Sequence, residues 1–250
     1  VSLSVIIITK NEERNIRICL ESVAWADEVI VVDSGSMDNT IAICKELGAK
    51  VHVADWPGFG PQKNRALYLA TGDWVLSLDA DEWVSPELRA EIDTTIKKPG
   101  PYVAFRMPRL SSYCGRFMLH GGWWPDLIVL LFRRGSARFS EARVHERLEV
   151  EGMIGHLSAH LLHESFRDPV EVLEKINHYS SEGARMLAER GRRASLGTAI
   201  AHGLWAFIRT YILKCGFLDG REGFAMAVST AEASYYRYLK LMYLTKPADQ

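Results

Sequence analysis

Trp74-Val75-Leu76-Ser77-Leu78-Asp79-Ala80-Asp81-Glu82 runs from five mostly apolar residues into two aspartates spaced one apart, then a glutamate. The apolar run, led by Thr71-Gly72-Asp73, predicts a buried strand. Its carboxylates then fall at the strand's carboxyl end, where open α/β sheets place their ligands. Residues i and i+2 of an extended chain share a side, so Asp79 and Asp81 face one place. Two hard oxygen donors there suit Mg²⁺ or Mn²⁺, with a nucleotide diphosphate filling the remaining positions. The plainer reading is a strand ending in a solvated acidic turn.

Upstream, the same grammar repeats. Leu3 to Thr9 predicts a first buried strand, ending at Lys10-Asn11-Glu12-Glu13, where Asn11 can cap a helix carrying Glu12 and Glu13 in its first turn. Glu28 to Val32 predicts a second strand, followed by the polar run Asp33 to Thr40 and a helix stopped at Gly48. Lys50 to Ala54 reads as a third strand, and Gln62 to Ala70 as a helix leading into the central strand. Strand alternating with helix predicts a parallel sheet with crossover helices. Each of the polar clusters at 9–13, 33–38 and 79–82 has an ordinary explanation in capping and turns. Their convergence on one edge of one sheet does not.

Downstream, 87–97 reads as a helix, and 102–165 as short β-like runs, Tyr102 to Met107, Leu127 to Phe132, Leu148 to Val150 and His160 to Leu162, with Gly and Trp clustered between them, as in Gly121-Gly122-Trp123-Trp124-Pro125-Asp126. From Pro169 the pattern is helical. The expected organisation is a domain over 1–166 and a C-terminal helical region over 167–250.

The 250 residues are 48% hydrophobic and 24% charged with net charge −1, which marks no nucleic-acid binder. The charge is uneven: residues 166–250 hold 12 Lys/Arg against 9 Asp/Glu, net +3, leaving −4 for the rest. Cys19, Cys44, Cys114 and Cys215 are far apart and read as reduced thiols, not as a zinc site or disulfide frame. Val5 to Ile8 is too short and lacks the basic lead of a secretory signal.

Leu3-Ser4-Val5-Ile6-Ile7-Ile8-Thr9-Lys10-Asn11-Glu12, then Val31-Val32-Asp33-Ser34-Gly35-Ser36-Met37-Asp38-Asn39-Thr40, then Leu78-Asp79-Ala80-Asp81-Glu82 resemble the opening of a family 2 glycosyltransferase. Trp124-Pro125-Asp126, Leu131-Phe132-Arg133-Arg134 and Val144-His145-Glu146 extend the resemblance toward the branch of lipopolysaccharide core β-1,4-glucosyltransferases. It implies a GT-A fold, a Rossmann-like and mostly parallel α/β sheet with flanking helices, here with a C-terminal helical extension. It implies an inverting enzyme with a UDP-sugar donor, glucose by the closer resemblance, and a glycolipid or lipopolysaccharide-core acceptor.

The resemblance also implies roles. Thr9, Lys10, Asn11 and Glu12 line the uridine pocket, and Asp33 contacts the base or ribose. Asp79 and Asp81 match the metal-binding pair for Mn²⁺ or Mg²⁺, with Asp81 the direct ligand and His163 the late histidine that reaches the metal. Lys63 and Arg65 can offset diphosphate charge. An acceptor hydroxyl must lose a proton to a carboxylate within hydrogen-bond reach; Glu146 fits the family's position for that base, and Glu141 is the second candidate. Where the family more commonly has Glu-Asp, this chain has His145-Glu146, so His145 either orients Glu146 or touches the metal site. Trp123 and Trp124 can stack on a sugar or pack in a core. Asp126 can accept bonds from sugar hydroxyls, and Arg133 and Arg134 can meet phosphates.

Leu196 to Cys215 places apolar residues at helical spacing but is interrupted by His202, Arg209 and Lys214, so a membrane span is not expected. Two uses stay open: a helix on a membrane surface, led by Arg185, Arg190, Arg192 and Arg193, or packing within the domain or in a homodimer. The expected location is cytoplasmic, with peripheral contact to the inner face of the membrane. Two rival functions are a nucleotidyltransferase, which would want a Gly-rich basic loop after the first strand, and a non-catalytic nucleotide- or sugar-binding module.

Overall fold

The computed structural model describes residues 1–141 and 147–245. In chain order the elements are β1 Leu3–Thr9, α1 Ile16–Ser22, β2 Glu28–Asp33, α2 Thr40–Glu46, β3 Lys50–Val53, α3 Phe59–Leu69, β4 Trp74–Asp79, β5 Glu82–Val84, α4 Pro86–Lys97 and β6 Tyr102–Tyr113. They continue with β7 Arg116–Phe117, β8 Asp126–Arg133, β9 Ala137–Phe139, β10 Leu148–Val150, β11 Met153–His156, β12 Leu161–Phe166, α5 Pro169–Glu189 and α6 Leu196–Phe207. A π-helical turn Ile208–Leu213 extends α6, a 3₁₀ turn Gly216–Asp219 follows, and α7 Gly220–Leu244 completes the described chain.

The main sheet has the order β3-β2-β1-β4-β8-β6-β12-β5. The first four strands are mutually parallel, and β8 runs antiparallel to β4. The chain steps outward from β1 to β3, then returns to place β4 on the other side of β1. That reversal is a topological switch point, which opens a crevice at the strands' carboxyl ends. The register aligns those ends: Thr9 pairs with Asp33, and Ile8 with Asp79. The GT-A expectation holds.

Every residue of β1 is buried, as a strand covered on both faces requires. Leu3, Val5 and Ile7 pack with α1 and α4 through Ile16, Leu20, Leu88 and Ile92. Ile6 and Ile8 pack on the opposite face with Ala66 of α3 and with Phe132 and Phe139. At the amino ends, Glu28 is buried and accepts bonds from Ser4 Oγ (2.5 Å), Thr71 N (2.6 Å), Thr71 Oγ1 (2.8 Å) and Lys50 Nζ (2.8 Å).

The chain forms two compact units, 1–109 with 126–163, and 110–125 with the residues from Glu164 onward. In the second unit Asp168 caps α5, its carboxylate accepting from Val170 N and Glu171 N, and Tyr113, Met118, Val172 and Met226 form a small core.

Two local expectations are corrected. Asn11 does not cap α1. It sits at φ 57°, its Oδ1 taken by Met37 N (2.8 Å), and α1 starts after Asn15. The strand expected to end at Met107 continues through Pro108 to Tyr113.

Candidate active site

The first wall of the site is a zip between two loops. Thr9 Oγ1 donates to Asp33 Oδ2 (2.9 Å). Asp33 is fully buried and also accepts from Gly35 N (2.9 Å), Ser36 N (2.7 Å) and Ser36 Oγ (2.5 Å). Across the gap Asn11 N donates to Ser36 Oγ (2.8 Å), Glu12 N to Thr40 Oγ1 (2.8 Å) and Glu13 N to Asp38 Oδ2 (3.1 Å). Burial works against ionised Asp38, but the bonds from Thr40 and Glu13 outweigh it and hold its pKa below the ordinary value. Glu12 accepts from Asn15 Nδ2 (2.8 Å), and Lys10 stands exposed on the same loop. The Asp-Ser-Gly-Ser and Asp-Asn-Thr residues therefore build a rigid double loop, and Asp33 is its internal anchor.

The second wall is the start of α3, where three successive side chains reach different elements. Gln62, fully buried, donates from Nε2 to Ser34 Oγ (3.0 Å). Lys63 places Nζ 3.0 Å from Asp79 Oδ1, with its stem buried. Asn64 donates to the carbonyl of Phe139 (2.8 Å) and accepts from its N–H (2.9 Å), so one side chain completes both main-chain bonds of that residue. Arg65 bonds Asp55 and Gln62; to meet a phosphate it would have to leave them.

Between these walls lie the acidic residues of the central strand. Asp81 Oδ2 is 3.5 Å from His163 Nε2, a proximity set by the pairing of His163 opposite Glu82 across β12 and β5. Among the described residues there is no group of three or more His, Cys, Asp or Glu able to hold a metal ion. The described residues thus form no cage made by protein alone. Asp81 with His163 fits a different type of site, in which one or two side chains bind the cation and substrate phosphates complete its shell. Two ligands at right angles on one cation, each bonded at about 2.1 Å, stand roughly 3 Å apart, close to the separation found.

Behind the acidic turn is a network that the sequence did not disclose. Glu82 is 1% exposed. Its Oε2 accepts from Asp79 N (3.0 Å) and its Oε1 from Arg109 Nη1 (3.0 Å). Arg109 in turn donates from Nε (2.9 Å) and Nη2 (2.7 Å) to Asp126 Oδ2, its register partner across β6 and β8. Burial, then the charge of Asp79, raise the Glu82 pKa to about 7 against the opposing pull of Arg109 and His163. A buried carboxylate needs such a partner. A search for a cation able to satisfy Glu82 would have pointed to an arginine on a neighbouring strand.

The remaining candidates scatter. Arg133 and Arg134 lie at the wrong end of the sheet: Arg133 pairs with Trp74, and Arg134 bonds the carbonyls of Gly72 and Asp73. Five residues of strand, roughly 17 Å, separate Trp74 from Asp79. Glu141 lines a groove of about 480 Å³ with His52, Arg65 and Tyr68 beside α3. Trp123 packs in the second unit against Tyr113 and Phe166, ring centroids 6.1 and 5.9 Å away. Trp124 belongs to that unit too. His145 and Glu146 lie outside the described residues.

A doubly wound sheet with acidic residues at its switch point is suited to an anionic ligand held through a cation in the crevice. Residues 4–144 match the family Glycosyl transferase family 2, and the chain belongs to that family. It is 32% identical to an uncharacterized glycosyltransferase of Rickettsia typhi, over 97% of this chain and 87% of the relative. It is 30% identical to the lipopolysaccharide core biosynthesis glycosyltransferase LpsC of Rhizobium meliloti, over 94% of this chain and 93% of LpsC. The crystal structure of S. aureus TarS in complex with UDP shares the fold at TM-score 0.53 and 19% identity, covering 100% of this chain and 93% of that one. The protein is therefore a sugar-transferring enzyme.

Proposed function

We propose that the chain transfers glucose from UDP-glucose, with inversion, to a lipopolysaccharide-core or other lipid-linked glycan, and that it uses Mn²⁺ or Mg²⁺. The observation that carries this reading is the meeting of Lys63 with Asp79, and of His163 with Asp81, at the switch point. The similarity to LpsC supports the acceptor class.

In this reading the uridine rests against the double loop of Thr9 to Glu12 and Asp33 to Ser36. Lys63 fixes Asp79 on the edge and brings positive charge to the diphosphate. Asp81 and His163 would hold the divalent cation, which would offset the charge that grows on the departing diphosphate. Asp126, oriented by Arg109 through Oδ2, offers Oδ1 to a sugar hydroxyl. The acceptor oxygen attacks the anomeric carbon from the side opposite UDP. The new C–O bond forms as the bond to the diphosphate oxygen breaks, and the hydroxyl proton passes to Glu146.

The test is a screen of nucleotide sugars for binding and slow hydrolysis, with and without Mn²⁺. Hydrolysis of UDP-glucose that requires the cation is expected. Binding with no hydrolysis or transfer would remove the catalytic reading, and preference for another base or sugar would overturn the donor.

A further inference from the structure

Helix α6 and its π-helical extension are built inside out. Their buried residues are small: Ala199, Gly203, Ala206 and Thr210. Gly203 shows why, since a Cβ there would lie 3.1 Å from Tyr235 Cβ and 3.4 Å from the Ala231 carbonyl oxygen of α7. The large apolar residues point the other way. Leu196, Ile200, Leu204, Trp205, Ile208 and Ile212 are between 44% and 61% exposed. Five of the six recur every fourth residue and so share one face. A helix of a water-soluble domain turns its large apolar residues inward, and a continuous outward stripe of this kind marks a contact surface.

Charge identifies what the surface meets. Between Arg190 and Leu218 the chain has five basic residues, Arg190, Arg192, Arg193, Arg209 and Lys214, and no Asp or Glu. All five are exposed, and none pairs with a carboxylate among the described residues. A second copy of the chain across a two-fold axis would present the same patch, so five uncompensated positive charges would face five more, which disfavours docking. An anionic lipid surface accepts both features, neutralising the basic residues and burying the stripe, with Trp205 at the headgroup level. No helix among the described residues is long and apolar enough to cross a membrane.

We propose that residues 190–218 dock on an anionic lipid bilayer, with the outward stripe of α6 in the interface plane and the five basic residues against the headgroups. This surface is independent of the donor and acceptor assigned above.

The experiment is co-sedimentation of the full chain with vesicles of phosphatidylcholine alone, or of phosphatidylcholine mixed equally with phosphatidylglycerol, across a salt series. Binding to the anionic vesicles at low salt is expected, weakening as salt rises. Each basic residue near the surface contributes about fivefold in partitioning, so Arg192→Ala with Arg193→Ala should lower binding about twentyfold. Leu204→Ser with Trp205→Ser should remove the part that survives high salt. Circular dichroism melts report folding of each variant, and UDP-glucose hydrolysis reports the donor site separately. Recovery in the supernatant with both lipids at low salt would overturn the proposal. So would a dimer in sedimentation equilibrium that Leu204→Ser with Trp205→Ser dissolves, since the stripe would then belong to a second copy.

Discussion

Arg109 Nη1 stands 3.0 Å from Oε1 of Glu82, a carboxylate with almost no exposure. The same guanidinium holds Asp126 at 2.7 Å, so a single side chain ties the acidic turn after β4 to the first residue of β8. Removing one member of a buried pair costs more than the pair gains, because the other is left uncompensated.

Arg109→Ala should therefore lose about 3 kcal/mol in urea unfolding. The loss should depend on pH. Glu82 has a folded pKa raised above its unfolded value, so its contribution is present at low pH and is lost as pH rises through about 7. Without Arg109 the carboxyl is raised further, and the variant should be weaker at about pH 8 than at about pH 5. Adding Glu82→Gln should recover part of the loss. A change under 1 kcal/mol at both pH values would show that the pair is not what holds the turn.

Asp33→Ala should cost both stability and donor affinity. Four donors lose one charged acceptor, and bonds of this kind contribute about 1.5–3 kcal/mol each. Because they act as one network, a combined loss of about 3 kcal/mol is expected. Calorimetry should show weaker UDP binding through loosening of the double loop. Undiminished UDP affinity in a folded variant would take the loop out of the site.

Asp81→Ala should abolish cation-dependent UDP binding and leave the melting temperature nearly unchanged, since its side chain is partly exposed. His163→Ala should weaken it to a smaller extent. Activity that persists in Asp81→Ala or in excess chelator would exclude the cation role.

Glu146→Gln should keep donor binding and lower kcat by about 10²–10⁴, the range of a general base. If Glu141→Gln shows that loss instead, the base moves to Glu141.

Glu28 should contribute to acid stability. Burial disfavours its charge, but bonds from Lys50, Ser4 and Thr71 prevail and bring the pKa to about 2. A carboxyl lowered in the folded state contributes stability above its unfolded value, lost as pH falls through the folded value. The expected window is thus from about 4.5 down to about 2. After discounting for solvent screening, the contribution is about 2 kcal/mol. Glu28→Gln should lower stability at neutral pH by about that amount and flatten this acid limb in denaturant titrations.

Long apolar runs made β1, β2 and β4 legible, because strands buried on both faces carry few polar positions within them, Ser4 and Ser77 here, to blur the pattern. The acidic pair was legible because it follows such a run directly. Arg109 was hidden by distance and by its neighbour. Its partner lies 27 residues away in sequence, and Pro108 reads as a break, since proline gives no donor to a ladder. Pro108 nevertheless pairs with Leu127 inside β6. Asn11 and Asn15 are both able caps. Met37 N takes Asn11 Oδ1, and Asn15, which precedes α1, makes no side-chain cap of its own. The outward stripe of α6 was read as a helical face, but its direction is set by Gly203 against α7, which periodicity does not encode.

The three successive reaches of Gln62, Lys63 and Asn64 make the start of α3 a mechanical hub. Residues on a helix step by about 100°, so the three spokes fan over roughly 200° and end on the loop after β2, the tip of β4 and the edge of β9. Inserting or deleting one residue ahead of Gln62 would swing every spoke to its neighbour's heading and free all three ends at once. A donor that shifts α3 by a small angle would therefore move the ends of β2, β4 and β9 together.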